Sequence, residues 1–280
     1  EKVKNLLIYD AVNKILNKNK ILAPRLINQN YKKNYIEVED FGDNTLFKVL
    51  KHNKTNKELF FRKILKTLSR LQLIKDKQVV NLNKQKYKVQ KYEDKTLLNE
   101  AKLFSEWYAP TKINKFQIRK FKKGYENEVK KLLSKLNLKN DTFVHRDFHV
   151  SNLMYVKNNI AVIDSQDALI GNKAYDLASL VDDVRFKTSN KLKNKILNNY
   201  FKKLTKTEIK EFINDFEILS VLRNLKIIGI FMRLALRDNK KKYTKMIPYA
   251  WEMINYRMKK NREFVNLKLI LKRNFPKFVK

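Results

Sequence analysis

FVHRDFHVSNLMYVKNNIAVID, residues 143–164, decides how the rest of the chain is read. It sets His145, Asp147, His149 and Asn152 within eight positions, and two of the chain's three histidines fall here. Its apolar runs NLMYV and IAVID flank the polar turn Lys157-Asn158-Asn159, which predicts a hairpin. The spacing His145-x-Asp147-x-x-x-x-Asn152 has a mechanical meaning for phosphoryl transfer, where positioning and charge neutralisation supply most of the rate. An aspartate beside an acceptor hydroxyl orients it and takes its proton. An asparagine five positions later, across the turn of the same loop, offers a neutral oxygen to Mg²⁺. A further metal ligand must come from a strand end, and Asp164 closes IAVID 12 residues after Asn152, where a tight hairpin returns beside the loop. A carboxylate ending an apolar strand is expected to be poorly solvated, which marks it for a task. Chance could make Asp147 a turn residue, His145 a packed ring and Asn152 a cap. Asp164 behind its strand, followed by AYDLASL (174–180) at the head of a helix, weighs against that coincidence.

The surrounding composition bounds the answer. A chain of 280 residues can form one large domain or two lobes. Its 43% hydrophobic content, with 17 Phe and 13 Tyr, argues for a folded globule. The absence of cysteine excludes a disulfide framework and any cysteine-based metal or redox site. No run reaches the roughly 18 uncharged apolar residues of a membrane span. The best candidate, 225–236, is broken by Lys226 and Arg233, so no membrane partner is expected. No signal peptide is read in EKVKNLLIYD, and the expected location is cytoplasmic. The missing initiator Met leads to the expectation that the chain starts inside a longer protein. The net charge of +35 is spread along the chain, with only short runs such as Lys240-Lys241-Lys242. Because a nucleic-acid footprint requires clustering, an AT-rich coding bias explains the lysines better and no nucleic-acid partner is expected. The charge should still attract anionic substrates, ATP among them.

Along the chain, NLLIYD (5–10) reads as a buried strand and Ala11 to Asn17 as a short helix. NYIEVEDFGDN (34–44) holds a strand ending in a Gly turn, with Ile36 and Val38 alternating against Glu37 and Glu39. Helical spacing then predicts helices over 45–50, 56–74, 96–108 and 127–136, and again from Ala174 to about residue 260.

The stretch VHRDFHVSNLMYVKNNIAVIDSQDALIGNKAYDLASLVDD (144–183) resembles the aminoglycoside phosphotransferase family of small-molecule kinases. Within it, the chain is most similar to the branch of bacterial anomeric kinases of N-acetylmuramate and N-acetylglucosamine. VEDFGD (38–43) is similar to their inter-lobe hinge, and LLNEAKLFSEWY (97–108) to a helix ahead of their catalytic loop. No Asp-Phe-Gly or Ala-Pro-Glu follows the loop, which disfavours a protein kinase. The resemblance implies an α+β, bilobal protein-kinase-like fold. Its small β-lobe and hinge would occupy 1–43, incomplete at the start, and its helical lobe 44–280, with the catalytic loop at 145–152. It further implies ATP in a cleft, Asp147 as the catalytic base, and Asn152 and Asp164 as ligands of Mg²⁺. Glu39 would offer backbone groups to the adenine, with Phe41 alongside. His145 and Asp176 would support the loop. His149 is a candidate for touching the acceptor, although support of the loop suits it better; Gln166 and Asp167 are candidates for touching the metal or the sugar, with a plain polar loop as the equal alternative. Glu100 and Trp107 could line a sugar pocket, although burial suits Trp107 better; His52, between lysines, is expected to be exposed.

Two departures accompany the resemblance. No glycine-rich loop is present, Gly42 being the first of four glycines, and NLLIYD lacks the usual phosphate-pairing lysine, with Tyr9 near that place. Three functions stay open on sequence: an ATP- and Mg²⁺-dependent amino-sugar kinase, a kinase of an aminoglycoside or amino alcohol, and a catalytically silent nucleotide-binding or RNA-associated protein. A basic, acid-poor helical half favours a neutral or anionic sugar over a cationic acceptor.

Overall fold

The computed structural model describes residues 2–52, 57–80, 84–202, 204–259 and 261–279, with side chains described from Leu6 onward. In chain order the elements begin with α1 (Lys2–Lys18), β1 (Leu26–Asn30), β2 (Tyr35–Val38), α2 (Leu46–His52) and α3 (Lys57–Gln72). There follow β3 (Gln78–Val80), β4 (Lys86–Lys88), α4 (Asp94–Leu103), α5 (Ile118–Leu133), β5 (Asn140–Val144), β6 (Leu153–Val156), β7 (Asn159–Val162) and β8 (Leu169–Asn172). The chain closes with α6 (Ala174–Val181), α7 (Asn190–Phe201), α8 (Lys206–Leu236), α9 (Ile247–Met258) and α10 (Val265–Asn274).

The amino-terminal run expected as a strand is helical throughout: α1 covers both NLLIYD and the short helix read after it. A short apolar run satisfies either period, and the burial of Ala11, Val12, Ile15 and Leu16 along one face shows which one governs. Tyr9 therefore sits on a helix, not at the lysine position of a strand. The helix expected at 56–74 is α3; Asn56 itself lies outside the described residues. The helix expected at 127–136 starts earlier, at Ile118.

Two compact units interleave along the chain. One comprises Glu1–Tyr92, Lys139–Val181 and Thr188–Lys203; the other comprises Glu93–Leu138, Asp182–Lys187 and Leu204–Lys280. In the first unit, β1 and β2 pair antiparallel from Leu26↔Val38 to Asn30↔Tyr35. The predicted hairpin is β6–β7, in register from Leu153↔Val162 to Val156↔Asn159. Its turn residues Lys157 and Asn158 have φ of 44° and 67°, the left-handed pair that matches strand twist in a two-residue hairpin. β5 pairs with β8, so the strand entering the loop and the strand leaving the Asp164 segment share a ladder. α3 buries Phe60, Phe61, Ile64, Leu65, Leu68 and Leu71 on one stripe. It is tied to its surroundings by hydrogen bonds from Gln72 to the Lys173 carbonyl (2.9 Å) and from Tyr200 to Gln72 (2.8 Å).

The second unit is built around aromatic rings. Phe104 lies 5.6 Å from Trp251 and 5.3 Å from Phe275, centroid to centroid, and Tyr125 donates to the Ala101 carbonyl at 3.0 Å. The long helix α8 starts at a capping box between Thr205 and Glu208, which satisfies two of its orphan end groups. In the last third of α8, Gly229 lies against the start of the π-helical turn Phe104–Tyr108: a Cβ there would stand 2.3 Å from the Leu103 carbonyl carbon. Only a residue without a side chain permits that approach.

Candidate functional site

The residues singled out around position 150 lie in the first unit, and backbone hydrogen bonds to a buried carboxylate set their loop. Asp176, in the first turn of α6 and 1% exposed, accepts from the His145 N–H (2.7 Å) and the Arg146 N–H (2.9 Å). Arg146 has φ of 73°, so this bidentate grip holds the chain in a conformation L-residues rarely adopt. The Arg146 guanidinium reaches the Asp167 carbonyl (3.1 Å) and lies 5.1 Å from the centroid of Tyr92. His145 is fully buried, with Nε2 3.0 Å from the Ile163 carbonyl. Burial pushes its imidazole below the ordinary histidine range against the opposing charge of Asp147, so the ring is neutral and its Nε2–H donates to Ile163.

Beyond His145 the loop closes on itself. The His149 N–H donates to the Asp147 carbonyl and the Asn152 N–H to the His149 carbonyl, both at 2.9 Å. The Asn152 side-chain nitrogen donates to the Asp147 carbonyl (3.2 Å) and to Asp164 Oδ2 (3.3 Å). The Asn152 amide thus bridges the Asp147 backbone and the Asp164 carboxylate. The Ile163 N–H donates to the Asn152 carbonyl (3.1 Å), so the hairpin ladder continues one step past β6–β7 and fixes the approach of the two ends. Asp147 and Asn152 are half-buried. Asp164 is exposed, contrary to the expectation of poor solvation: the apolar strand ends at Val162, and Asp164 turns out to solvent with φ of 62°. Gln166 donates to Asp164 Oδ1 at 2.8 Å, and the Asp167 carboxylate lies 3.9 Å from Arg146, so both sit around Asp164 and the loop. His149 is buried, 4% exposed.

One contributor was not read from the sequence at all. Asn13 of α1 accepts from the Ser165 hydroxyl at 2.5 Å, both side chains being buried. The contact pins the residue after Asp164 to a helix 152 positions away, and no local pattern announces it. One turn earlier on α1, burial pushes the Tyr9 phenol up; the Asn13 hydrogen bond opposes this and the Asp164 charge adds to it. Tyr9 therefore stays a neutral phenol close to the Asp164 carboxylate.

Glu39 follows β2. Its N–H is taken by the Arg25 carbonyl (2.9 Å), so of its backbone groups the carbonyl is the one left to a ligand. Asp40 accepts from the Gly42 N–H (2.7 Å), and Gly42 adopts φ of 71°, which turns the chain just after the half-buried Phe41. The Tyr155 N–H donates to the Asn44 carbonyl (2.9 Å), which joins the end of this segment to β6. Glu100 and Trp107 belong to the second unit. Glu100 pairs with Lys226 at 2.9 Å, and Trp107 is half-buried where full packing was favoured. His52 is exposed.

The donor set suits Mg²⁺. Asn152 engages its amide nitrogen, which leaves the amide oxygen for a cation beside the Asp164 carboxylate. Among the described residues no cluster of three or more His, Cys, Asp or Glu could hold a metal by itself. Two hard oxygen ligands without a cage match Mg²⁺, which retains waters and takes the rest of its octahedron from phosphates.

The chain is matched over residues 2–212 by the family model described as Phosphotransferase enzyme family. It is 34% identical over 182 residues to an N-acetylmuramate/N-acetylglucosamine kinase of Neisseria meningitidis serogroup B, a match covering 63% of this chain and 54% of that protein. To the protein of that name from Pseudomonas aeruginosa it is 27% identical over 255 residues, 88% of this chain and 71% of the relative. The chain therefore spans about half the length of the Neisseria relative. Among solved structures, a choline/ethanolamine kinase family protein of Mesorhizobium loti superposes with a TM-score of 0.62 at 10% identity, covering 96% of this chain and 83% of its own. An ethanolamine kinase of Plasmodium vivax gives 0.60 at 17%, covering 90% and 71%. These likenesses show an α+β fold of the kinase-like small-molecule type.

Proposed function

The chain belongs to the phosphotransferase enzyme family, and from that membership we propose that it transfers the γ-phosphoryl group of ATP to a hydroxyl of a small amino sugar, N-acetylmuramate or N-acetylglucosamine, at the anomeric position. The Asn152 amide, which bridges the Asp147 backbone to the Asp164 carboxylate beside a loop held by Asp176, supports this reading. Asp147 accepts the proton of the acceptor hydroxyl as its oxygen bonds to the γ-phosphorus and the bond to the β-γ bridging oxygen breaks. Asn152 Oδ1 and the Asp164 carboxylate would hold Mg²⁺, which would supply neutralisation of the negative charge on the phosphates. Asp176 keeps the loop backbone in register, and neutral His145 supports the loop from below. The Glu39 carbonyl accepts from the adenine amino group, with Phe41 beside the base and residues 1–43 forming the nucleotide-side lobe. His149, Gln166 and Asp167 are assigned to the acceptor side. No described helix is long and apolar enough to cross a membrane, and we place the reaction in the cytoplasm, where ATP is supplied.

The test is a coupled ADP-release assay with ATP, Mg²⁺ and a panel of amino sugars, aminoglycosides and choline. Turnover with N-acetylmuramate or N-acetylglucosamine is expected, abolished in Asp147→Ala while ATP binding by thermal shift persists. Turnover confined to a cationic acceptor would move the assignment to an aminoglycoside or amino-alcohol kinase. Unchanged turnover in Asp147→Ala would remove that residue from its role.

A further inference from the structure

Outside the loop, the first unit carries a concave site. A cavity of about 350 Å³ opens between α3, the segment after α1 and the turn of the β6–β7 hairpin. Its polar lining is Lys20, Lys63, Lys66, Thr67, Arg70, Asn158 and Asn159 over a floor of Ile21, Leu22 and Ile160. Positions 63, 66, 67 and 70 recur at helical spacing and share one face of α3. Lys66 and Arg70, four apart, are like charges on neighbouring turns, an arrangement unfavourable in an isolated helix. Among the described residues, no carboxylate lines the cavity, and Lys20, Lys66 and Arg70 make no ion pair. Lys63 is spent differently: it donates to the Asn158 carbonyl at 3.3 Å and to its side-chain oxygen, and lies 5.4 Å from the Tyr155 ring centroid. That strap fixes the hairpin turn against α3, where the Asn159 amide nitrogen donates to the Lys157 carbonyl (3.1 Å), and leaves Lys20, Lys66 and Arg70 as the cations lining the space. Lys20 holds φ of 58°, a left-handed position that a lysine occupies at some cost.

We propose that this cavity binds a small phosphorylated anion, and that its occupant stiffens the hairpin whose far end carries Asn152 and Asp164. The size lies at the lower end of small-ligand sites, and the charge suits a di- or trianion better than a single carboxylate. Asn158 and Asn159 sit at the hairpin turn, and β7 runs from there to the Asp164 segment, so an anion bridging α3 to the turn restrains both ligands of the proposed metal at once. The Val162 N–H also donates to the Leu22 carbonyl at 2.8 Å, which joins the cavity floor to the same strand.

General attraction by a chain of net charge +35 is the competing explanation, and the experiment is built to separate it. Titration calorimetry at low salt without divalent cation would use inorganic pyrophosphate in one arm and a sugar 1-phosphate in another, with the neutral sugar as blank. The wild type is compared with Lys66→Glu/Arg70→Glu, its milder form Lys66→Gln/Arg70→Gln, and Lys272→Glu/Arg273→Glu, an equal charge reversal on exposed positions of α10. Binding is expected to weaken tenfold or more in both α3 variants and less than twofold in the α10 variant. Hydrogen exchange over 153–162 should slow on ligand addition in the wild type alone. Stronger response to pyrophosphate identifies a free anion as the occupant, and stronger response to the sugar phosphate an esterified one. Equal weakening in the α3 and α10 reversals, or no binding to the wild type, overturns the proposal. Because the readout is binding, loss of the kinase assignment would leave this result standing.

Discussion

Asp176 and Asp182 lie six residues apart, both almost fully buried, and they are used in opposite ways. Asp176 gives both carboxylate oxygens to backbone N–H groups of the loop in its own unit, so what it stabilises is a conformation. Asp182 gives its oxygens to side chains of the second unit, accepting from Arg257 at 2.7 and 3.1 Å and from Ser220 at 2.6 Å, so what it stabilises is packing. The carboxylates proposed to act on substrate and metal, Asp147 and Asp164, are more exposed than either. Burial of an acid therefore does not identify a reactive group. The partners do: backbone donors mark the scaffold of a site, cationic side chains mark a core, and a solvent-facing acid held in an unusual backbone conformation marks the place left open for a ligand.

If that division holds, substitutions should separate chemistry from stability. Asp147→Ala is expected to lower kcat by about 10²- to 10⁴-fold, the range for a lost general base, with the urea midpoint unchanged. Asp164→Asn retains the shape and tolerance of a left-handed backbone; turnover should collapse at limiting Mg²⁺ while stability stays within about 0.5 kcal/mol. Asp182→Ala should do the reverse, costing about 3–5 kcal/mol in urea unfolding because the Arg257 charge is left buried and unpaired. A variant of Asp182 that loses activity at full stability would break the comparison.

Gly229→Ala comes next. Its Cβ would meet backbone atoms of Leu103 and Phe104 at 2.3–2.6 Å, so the helices must part, at about 1–3 kcal/mol by denaturant unfolding. Wild-type stability in that variant would show that α8 and the π-helical turn can slide. The smallest effect concerns His145. Its folded pKa is depressed below the ordinary histidine value of about 6.5, so below that value the unfolded chain binds a proton that the folded chain refuses. Stability should then be insensitive to this group above pH 6.5 and decline as pH falls, by at most about 1.4 kcal/mol per unit. His145→Gln, which can still donate to the Ile163 carbonyl, should flatten that portion of the pH profile in urea unfolding.

The loop and hairpin were legible because residue types recur at fixed spacing there and apolar runs are separated by a turn; both signals are local. The amino-terminal helix was not, because NLLIYD satisfies the strand and helix periods over its short span, and only the burial of Ile15 and Leu16 downstream decides between them. β1 (LINQN) and β8 (LIGN) escaped because neither alternates nor is long enough to stand out; each is a strand by virtue of its partner. The exposure of Asp164 escaped for a backbone reason, a left-handed φ that an aspartate permits but does not announce. The Asn13–Ser165 contact joins segments far apart in sequence, which no window can contain.

Asn152 and Asp164 stand at the two tips of one antiparallel ribbon, with Leu153↔Val162 as the first rung beneath them. The separation of Asn152 from Ile163, the residue before Asp164, is therefore dictated by interstrand spacing, about 5 Å, and is independent of how many residues make the bend at the opposite extremity. Lengthening or shortening that bend would leave the jaws of the tongs set at the same gap.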